Sequence, residues 1–96
     1  MFLIFLKFAD KSRAPAHMAG HNAWLQQGFD NGHFLLSGSL QPGLGGAVLA
    51  IAADRAAAEA LAVADPFVAH GVVTAEIHEI TAAKADPRLA FLLDAA

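Results

Sequence analysis

The pattern of apolar and polar positions along the chain predicts four β-strands and two main helices. Residues 2–6 are apolar on both alternations, which is typical of a central strand that is buried on both faces. From about residue 16 to residue 31 the apolar positions recur with a helical period, and Asn31-Gly32 suits the end of a helix. The apolar stripe of this helix comprises Ala14, Met18, His21, Leu25, Gly28 and Phe29, with His17 at its edge.

A β-hairpin is predicted next. Residues 33–40 form its first strand and residues 47–52 its second, and the Gly- and Pro-rich segment 41–46 forms the turn between them. Strict alternation along the first of these strands places Phe34 and Leu36 on one face, and Ser37 and Ser39 on the other. The glycines at 45 and 46 are assigned to the turn, because the helix that follows a phosphate-binding loop is missing after them.

The second half of the chain repeats the order helix, then strand. Asp54 is a suitable N-cap for a helix over residues 55–64, which the segment 65–67 then ends. Residues 72–80 are predicted to be the fourth strand, and Asp86-Pro87 opens a short C-terminal helix over about 86–95. We therefore expect one domain over residues 1–96, with its core in about 1–80.

The predicted order β-α-β-β-α-β indicates an α+β fold of the ferredoxin-like type. In that arrangement a four-stranded antiparallel sheet carries both helices on one face. The other face is then open, yet neither alternation of the first strand is polar. Because an open sheet face in water should be polar, we expect a second copy of the chain to cover it in a homodimer.

Composition excludes several classes of partner. The 96 residues are 56% hydrophobic and carry a net charge of −3, and the six Lys and Arg residues are scattered, so nucleic-acid binding is not expected. There are no cysteines, which fits a reducing, cytoplasmic setting. The apolar run at residues 2–6 is too short for a signal sequence or a membrane span, so no membrane association is predicted.

The most informative polar residue is His21, which lies within the apolar stripe of the first helix. A buried imidazole must find hydrogen-bond partners, and a nearby carboxylate can tune its charge. His21 is therefore a candidate for proton transfer, although a satisfied core histidine explains the same pattern. His17 and His21 are spaced so that both could bind one metal ion, but no third ligand is evident, and neither a metal nor another cofactor is predicted.

Several short signatures together resemble the YCII-related (YciI-like) family. In chain order they are His21 with Trp24-Leu25, Phe34-Leu35-Leu36-Ser37-Gly38, Gly45-Gly46, and Asp65-Pro66-Phe67 followed by Gly71. The resemblance extends from the first strand to Ile80, and Ser39 departs from it where many members carry proline. It implies a ferredoxin-like domain that forms a dimeric α+β barrel.

The resemblance also implies a site. A histidine of the first helix and an aspartate before proline, here His21 and Asp65, are taken as a catalytic pair. Ser37, Gly38 and Trp24 are assigned to substrate binding. Each has a structural alternative: Asp65 caps a turn as Asp86 does, Ser37-Gly38 marks a bulge, and Trp24 packs in the core.

Three functions remain open at this point. The first is an isomerase- or lyase-type enzyme that applies general acid–base chemistry to a small molecule, with carboxylated and lactone-like compounds among the candidates. No covalent nucleophile is evident, which disfavours acyl transfer. The second is a non-catalytic module that binds a small molecule, and the third is a structural dimerisation domain.

Overall fold

The computed structural model describes residues 1–94, whose four strands form one antiparallel sheet with helices packed on it. The strands are β1 (Phe2–Phe8), β2 (Phe34–Leu40), β3 (Gly45–Ala50) and β4 (Val73–Glu79). The α-helices are α1 (Ala14–Asp30), α2 (Arg55–Val63) and α3 (Pro66–Ala69), and there are 3-10 helices at Lys11–Arg13 and Pro87–Leu93.

The strand order is β2-β3-β1-β4, and each neighbouring pair is antiparallel. This confirms the ferredoxin-like α+β fold and the central position of the first strand. Asp54 caps α2 as predicted, because its carboxylate accepts a hydrogen bond from the Ala57 N–H at 2.8 Å. Within residues 1–94, no helix combines the length and apolar character that crossing a membrane requires.

Several boundaries differ from the predictions, mostly by one or two residues. The third strand begins at Gly45 rather than at residue 47, so the turn is shorter than the glycine-rich segment suggested. The predicted C-terminal helix is a 3-10 helix over Pro87–Leu93, and its expected end at residue 95 lies outside the described residues. The structure also adds α3, a single helical turn, where the sequence indicated only a break.

The core lies between the helices and one face of the sheet. Phe2, Ile4 and Leu6 of β1 point to this side, and each is at most 3% exposed. Buried residues of other strands, such as Val48 of β3 and Phe34 of β2, belong to the same core cluster as Ile4 and Leu6. Burial of each such side chain contributes about 1.5–3 kcal/mol of transfer free energy, which is what holds the helices on the sheet.

A β-bulge in β2 changes which of its side chains face the helices. Phe34 pairs with Ala50 and Leu36 with Leu49, so two steps along β2 correspond to one step along β3. After the bulge Ser37 pairs with Val48, a buried residue on the helix side. The predicted alternation is therefore wrong: Ser37 shares a face with Phe34, and Leu36 is on the open face.

The open face of the sheet has an apolar part and a charged part. Leu3 and Phe5 of β1 are half-buried there, whereas Leu36 at the sheet edge is 64% exposed. Toward β4 the Lys7 ammonium lies 3.1 Å from the Glu76 carboxylate, and its hydrogen bond and charge lower the pKa of Glu76 below the usual value.

Gly45 begins β3 at a point where the backbones of two strands come unusually close. Its φ of +135° lies in a region that favours glycine, and a Cβ at this position would overlap the carbonyl oxygen of Leu6. By contrast, a Cβ at Gly38 on the adjacent strand would have no heavy atom within 4 Å.

Replacement of Gly45 by alanine is expected to lower the free energy of unfolding by about 3 kcal/mol, because backbone strain and overlap with β1 act together. Chemical denaturation of both variants measures this, with Gly38→Ala as the matched control expected to stay within about 0.5 kcal/mol of the wild type. Equal stability of the two variants would contradict the close approach at Gly45.

Candidate functional site

His21 and Asp65 meet between α1 and α3. Nδ1 of His21 lies 2.9 Å from Oδ1 of Asp65, so the two side chains share a hydrogen bond. The Asp65 side chain is 0% exposed and that of His21 is 14% exposed. The pair is thus closed to water on the carboxylate side and open only at the imidazole.

The turn that begins α3 fixes the Asp65 carboxylate. Oδ1 of Asp65 also accepts a hydrogen bond from the Phe67 N–H at 3.0 Å, and the Asp65 carbonyl oxygen accepts from the N–H groups of Val68 and Ala69. Asp65 is therefore the N-cap of α3 and the partner of His21 through the same oxygen atom. Capping and orientation of the histidine, which the sequence left as alternatives, occur together.

The second Asp-Pro dipeptide of the chain provides an internal comparison. The Asp86 carboxylate accepts from the N–H of Arg88 at 2.9 Å, so it caps its turn as Asp65 does. It is 48% exposed, however, and the hydrogen bond from the Arg88 guanidinium lowers its pKa below the usual value. Capping alone does not require burial, so the burial of Asp65 against His21 needs another explanation.

The hydrogen bond to Asp65 defines the tautomer of His21. An ionised carboxylate only accepts hydrogen bonds, so with Asp65 ionised the protonated ring nitrogen of His21 is Nδ1. In the neutral imidazole Nε2 then has the free lone pair. Within residues 1–94, Nε2 makes no hydrogen bond, and it belongs to a side chain that lines a cavity. In this tautomer Nε2 is the ring nitrogen of His21 that can accept a hydrogen bond.

Aromatic rings hold the imidazole in its plane. The Phe67 ring is stacked on His21, with 4.0 Å between the ring centroids and 6° between the planes. The Trp24 ring, three residues further along α1, has its centroid 5.7 Å from that of His21. Because Phe67 also donates its N–H to Asp65, one residue positions both members of the pair.

Oδ2 of Asp65 is buried and has no hydrogen-bond partner in the described part of the chain. An unpaired polar atom in the interior costs about 1–3 kcal/mol, and more if it is charged. Proteins retain such groups mainly at functional sites, where a perturbed environment has a chemical use. This carboxylate is a costly feature that capping does not explain.

A cavity of about 320 Å³ lies between α1 and the sheet, and His21 forms part of its wall. Ser37, Gly38 and Ser39 line it from β2, and Asn22 lines it from α1. The bulge in β2 is what turns the two serines toward this space. The remaining lining is mostly apolar, with Leu6, Phe8, Met18, Leu25, Val48 and Phe67 among its members.

The structure brings together four of the five site residues that the sequence suggested. His21, Ser37 and Gly38 line the cavity, and Asp65 contacts His21 from behind. Trp24 does not line the cavity. It is buried in the core, where its indole N–H donates to the Leu61 carbonyl at 2.9 Å, an arrangement that agrees with the packing alternative given for this residue.

Sequence reasoning missed three lining residues. Asn22 was assigned to the solvated face of α1, although its position next to His21 was a usable signal. Phe67 was treated only as part of a turn, and Ser39 only as a departure from the family pattern. Helical and strand periodicity cannot identify such residues, because they lie at the edge of a buried face rather than within it.

A second pair of histidines lies one helical turn from His21. His17 of α1 and His70 at the end of α3 are stacked, with 4.1 Å between the ring centroids. Partial burial, His70 and Arg13 all lower the pKa of His17, in that order of importance. Within residues 1–94, no three His, Asp or Glu side chains are close enough together to hold a metal ion.

The tautomer of His21 is directly measurable. We expect ¹H–¹⁵N correlation NMR above the titration range of the imidazoles to show Nδ1 of His21 protonated and Nε2 unprotonated, because Asp65 accepts the proton. Free histidine prefers the opposite tautomer, so an exposed residue such as His33 is the internal control. A protonated Nε2 on His21 would contradict the proposed orientation.

The chain was compared with curated proteins and with models of protein families. A search of curated proteins found no match. The family described as YCII-related domain matches residues 1–82, a segment that contains the whole sheet, all three α-helices and every lining residue of the cavity. On this match, and as its motifs predicted, the chain belongs to the YCII-related domain family.

Proposed function

We propose that this protein is an enzyme that carries out general acid–base chemistry on a small organic molecule, with His21 as the proton-transferring group. The observation that carries the proposal is the buried carboxylate of Asp65, bonded at 2.9 Å to a histidine on the wall of a cavity. A positioned imidazole is the side chain used most often for such proton transfer, and it contributes about 10²–10⁴-fold to the rate.

The proposed reaction starts when Nε2 of His21 removes a proton from carbon or oxygen of the bound molecule. The imidazolium that forms is stabilised by the Asp65 carboxylate, which accepts the Nδ1–H throughout. The proton then returns to another atom of the substrate in an isomerisation, or to a leaving group in an elimination. No covalent bond to the protein is needed at any step.

The opposite wall supplies groups for a substrate oxygen. The hydroxyls of Ser37 and Ser39 lie two residues apart on one face of β2, about 7 Å along the strand, and the backbone of Gly38 lies between them. These hydroxyls, with the amide of Asn22, can donate hydrogen bonds to an enolate or alkoxide that forms as His21 takes the proton.

A non-catalytic binding module is the second candidate, because the same contacts would also hold a ligand without reaction. The buried carboxylate favours the enzyme. For simple binding, an imidazole bonded to solvent or to a backbone carbonyl would serve equally well, without the cost of a carboxylate oxygen that lacks a partner. Measurement of turnover separates the two candidates.

Exchange of carbon-bound protons for deuterium is a general assay for this chemistry. We expect the wild-type protein to catalyse exchange in D₂O for at least one member of a panel of lactones and enolisable ketones, followed by ¹H NMR. His21→Gln is expected to lower that rate at least about 100-fold, since glutamine cannot take up the proton. Asp65→Asn should also lower it and should alter the pH profile.

His33→Gln is the matched control, because His33 is exposed and does not line the cavity. Its exchange rate should equal that of the wild type. Equal rates for the wild type and His21→Gln would refute His21 as the base. Ligand binding at this cavity without exchange of any compound would favour the non-catalytic module.

We further propose that two copies pair through the open faces of their sheets. Leu3 and Phe5 on that face are only half-buried within one chain, and Leu36 is 64% exposed beside them. Apolar groups on both alternations of a central strand are typical of a sheet that is covered on both sides. A sheet-to-sheet dimer would remove these groups from water.

Light scattering coupled to size-exclusion chromatography tests the dimer. The wild type is expected near 20 kDa, twice the 10.0 kDa of one chain, and Leu36→Lys should shift it toward the monomer. Val63→Lys is the matched control, because Val63 is 62% exposed but lies on α2, on the other side of the sheet. A wild-type monomer would refute the proposal.

A further inference from the structure

We infer that the cavity selects uncharged molecules and rejects carboxylated or phosphorylated ones. The inference rests on the proposed assignment of this cavity as the substrate site. It narrows the expectation from sequence, which left a carboxylated substrate open. The argument comes from the charges that line the cavity and from the net charge of the His21–Asp65 pair.

The first step is the composition of the cavity wall. Within the described residues, no Lys, Arg, Asp or Glu lines the cavity. Its polar side chains are those of His21, Asn22, Ser37 and Ser39, of which only the histidine can carry a charge. An anion would therefore depend on His21 for all of its electrostatic compensation.

His21 cannot supply that compensation, because it is already paired with Asp65. When the imidazole is neutral, the pair has a net charge of −1, and when it is protonated, the net charge is zero. The pair is never positive in either state that the proposed reaction uses.

Neither Lys7 nor Lys11 adds a positive charge to the wall of the cavity. Lys7 is bound to Glu76 on the open face of the sheet. The Lys11 ammonium lies 5.0 Å from the centroid of the Phe8 ring, but it is exposed to solvent and does not line the cavity. Water and salt screen a charge in that position, so its effect inside the cavity is small.

The cost of desolvation then determines whether the cavity prefers a charged or a neutral molecule. A carboxylate that leaves water for a mostly apolar wall loses its hydration and gains no cation, a change that is strongly unfavourable. A neutral amide, ketone or lactone of the same shape loses much less, and the two serine hydroxyls can bond its oxygen. A volume of about 320 Å³ accommodates a molecule with one six-membered ring.

Benzamide and benzoate test the inference because they have nearly the same shape and differ in charge near neutral pH. Each is titrated into the ¹⁵N-labelled wild-type protein, with chemical-shift changes followed at Gly38, Ser39 and Gly46. Benzamide is expected to bind at least about tenfold more tightly than benzoate. Equal or tighter binding of benzoate would overturn the inference, as would the absence of any shift change with either probe.

A charge-introducing variant tests the cause. Asn22→Lys places a cation at the cavity wall from an exposed position on α1, where lysine is a better helix former than asparagine. It should raise the affinity for benzoate relative to that for benzamide at least about fivefold, whereas Asn22→Gln should leave the ratio of the two affinities unchanged. No gain in benzoate affinity in the lysine variant would overturn the electrostatic explanation.

These results are independent of the exchange assay under the proposed function. A preference for benzoate together with loss of exchange in His21→Gln would refute the charge selectivity and leave the acid–base assignment standing. A preference for benzamide without exchange of any compound would support the selectivity and refute catalysis.

Discussion

The complete burial of one carboxylate, that of Asp65, is the constraint on which the arrangement of His21, α1 and α3 depends. Asp65 is enclosed completely, so its ionised form depends on the few donors that reach it, the Phe67 N–H and the imidazole of His21. Loss of either donor would leave a buried polar group without compensation, at a cost of about 1–3 kcal/mol or more. The packing of α1 against α3 is therefore tied to the geometry of the site, since the same hydrogen bond joins both.

The comparison of Asp65 with Asp86 separates the local effect of an Asp-Pro dipeptide, which is to cap a turn, from the effect of its place in the fold. Both residues precede proline and both cap the turn that follows, which is a local property of the backbone. Only Asp65 lies beneath α1, where the imidazole of His21 is its side-chain partner. Asp86 is half-exposed, and its side-chain partner is the guanidinium of Arg88. The chemistry proposed for this site thus comes from tertiary placement and not from the dipeptide itself.

The apolar pattern of the sequence was sufficient for the order of the four strands and the two main helices, although it did not predict α3. It also singled out His21 as a candidate, since a polar residue within an apolar stripe is conspicuous. It failed at Ser37, because the single inserted residue at the β2 bulge reverses the face assignment of every later residue in the strand. The residue types at 34–36 give no indication of this insertion. It also failed at Gly45, where two backbones approach so closely that glycine is required, a constraint visible only in three dimensions.

The bulge has a further consequence, because β2 serves both faces of the sheet. Ser37 and Ser39 point into the cavity, while Leu36 points to the face where a second copy is proposed to pack. A strand cannot shift its register for one face without shifting it for the other, so any contact that fixes Leu36 also fixes the two hydroxyls. β2 is an edge strand with only one neighbour in its own sheet, and edge strands hold their register less firmly than central ones. Covering the open face would therefore do more than bury apolar surface: it would hold the proposed substrate-binding wall at a constant distance from His21.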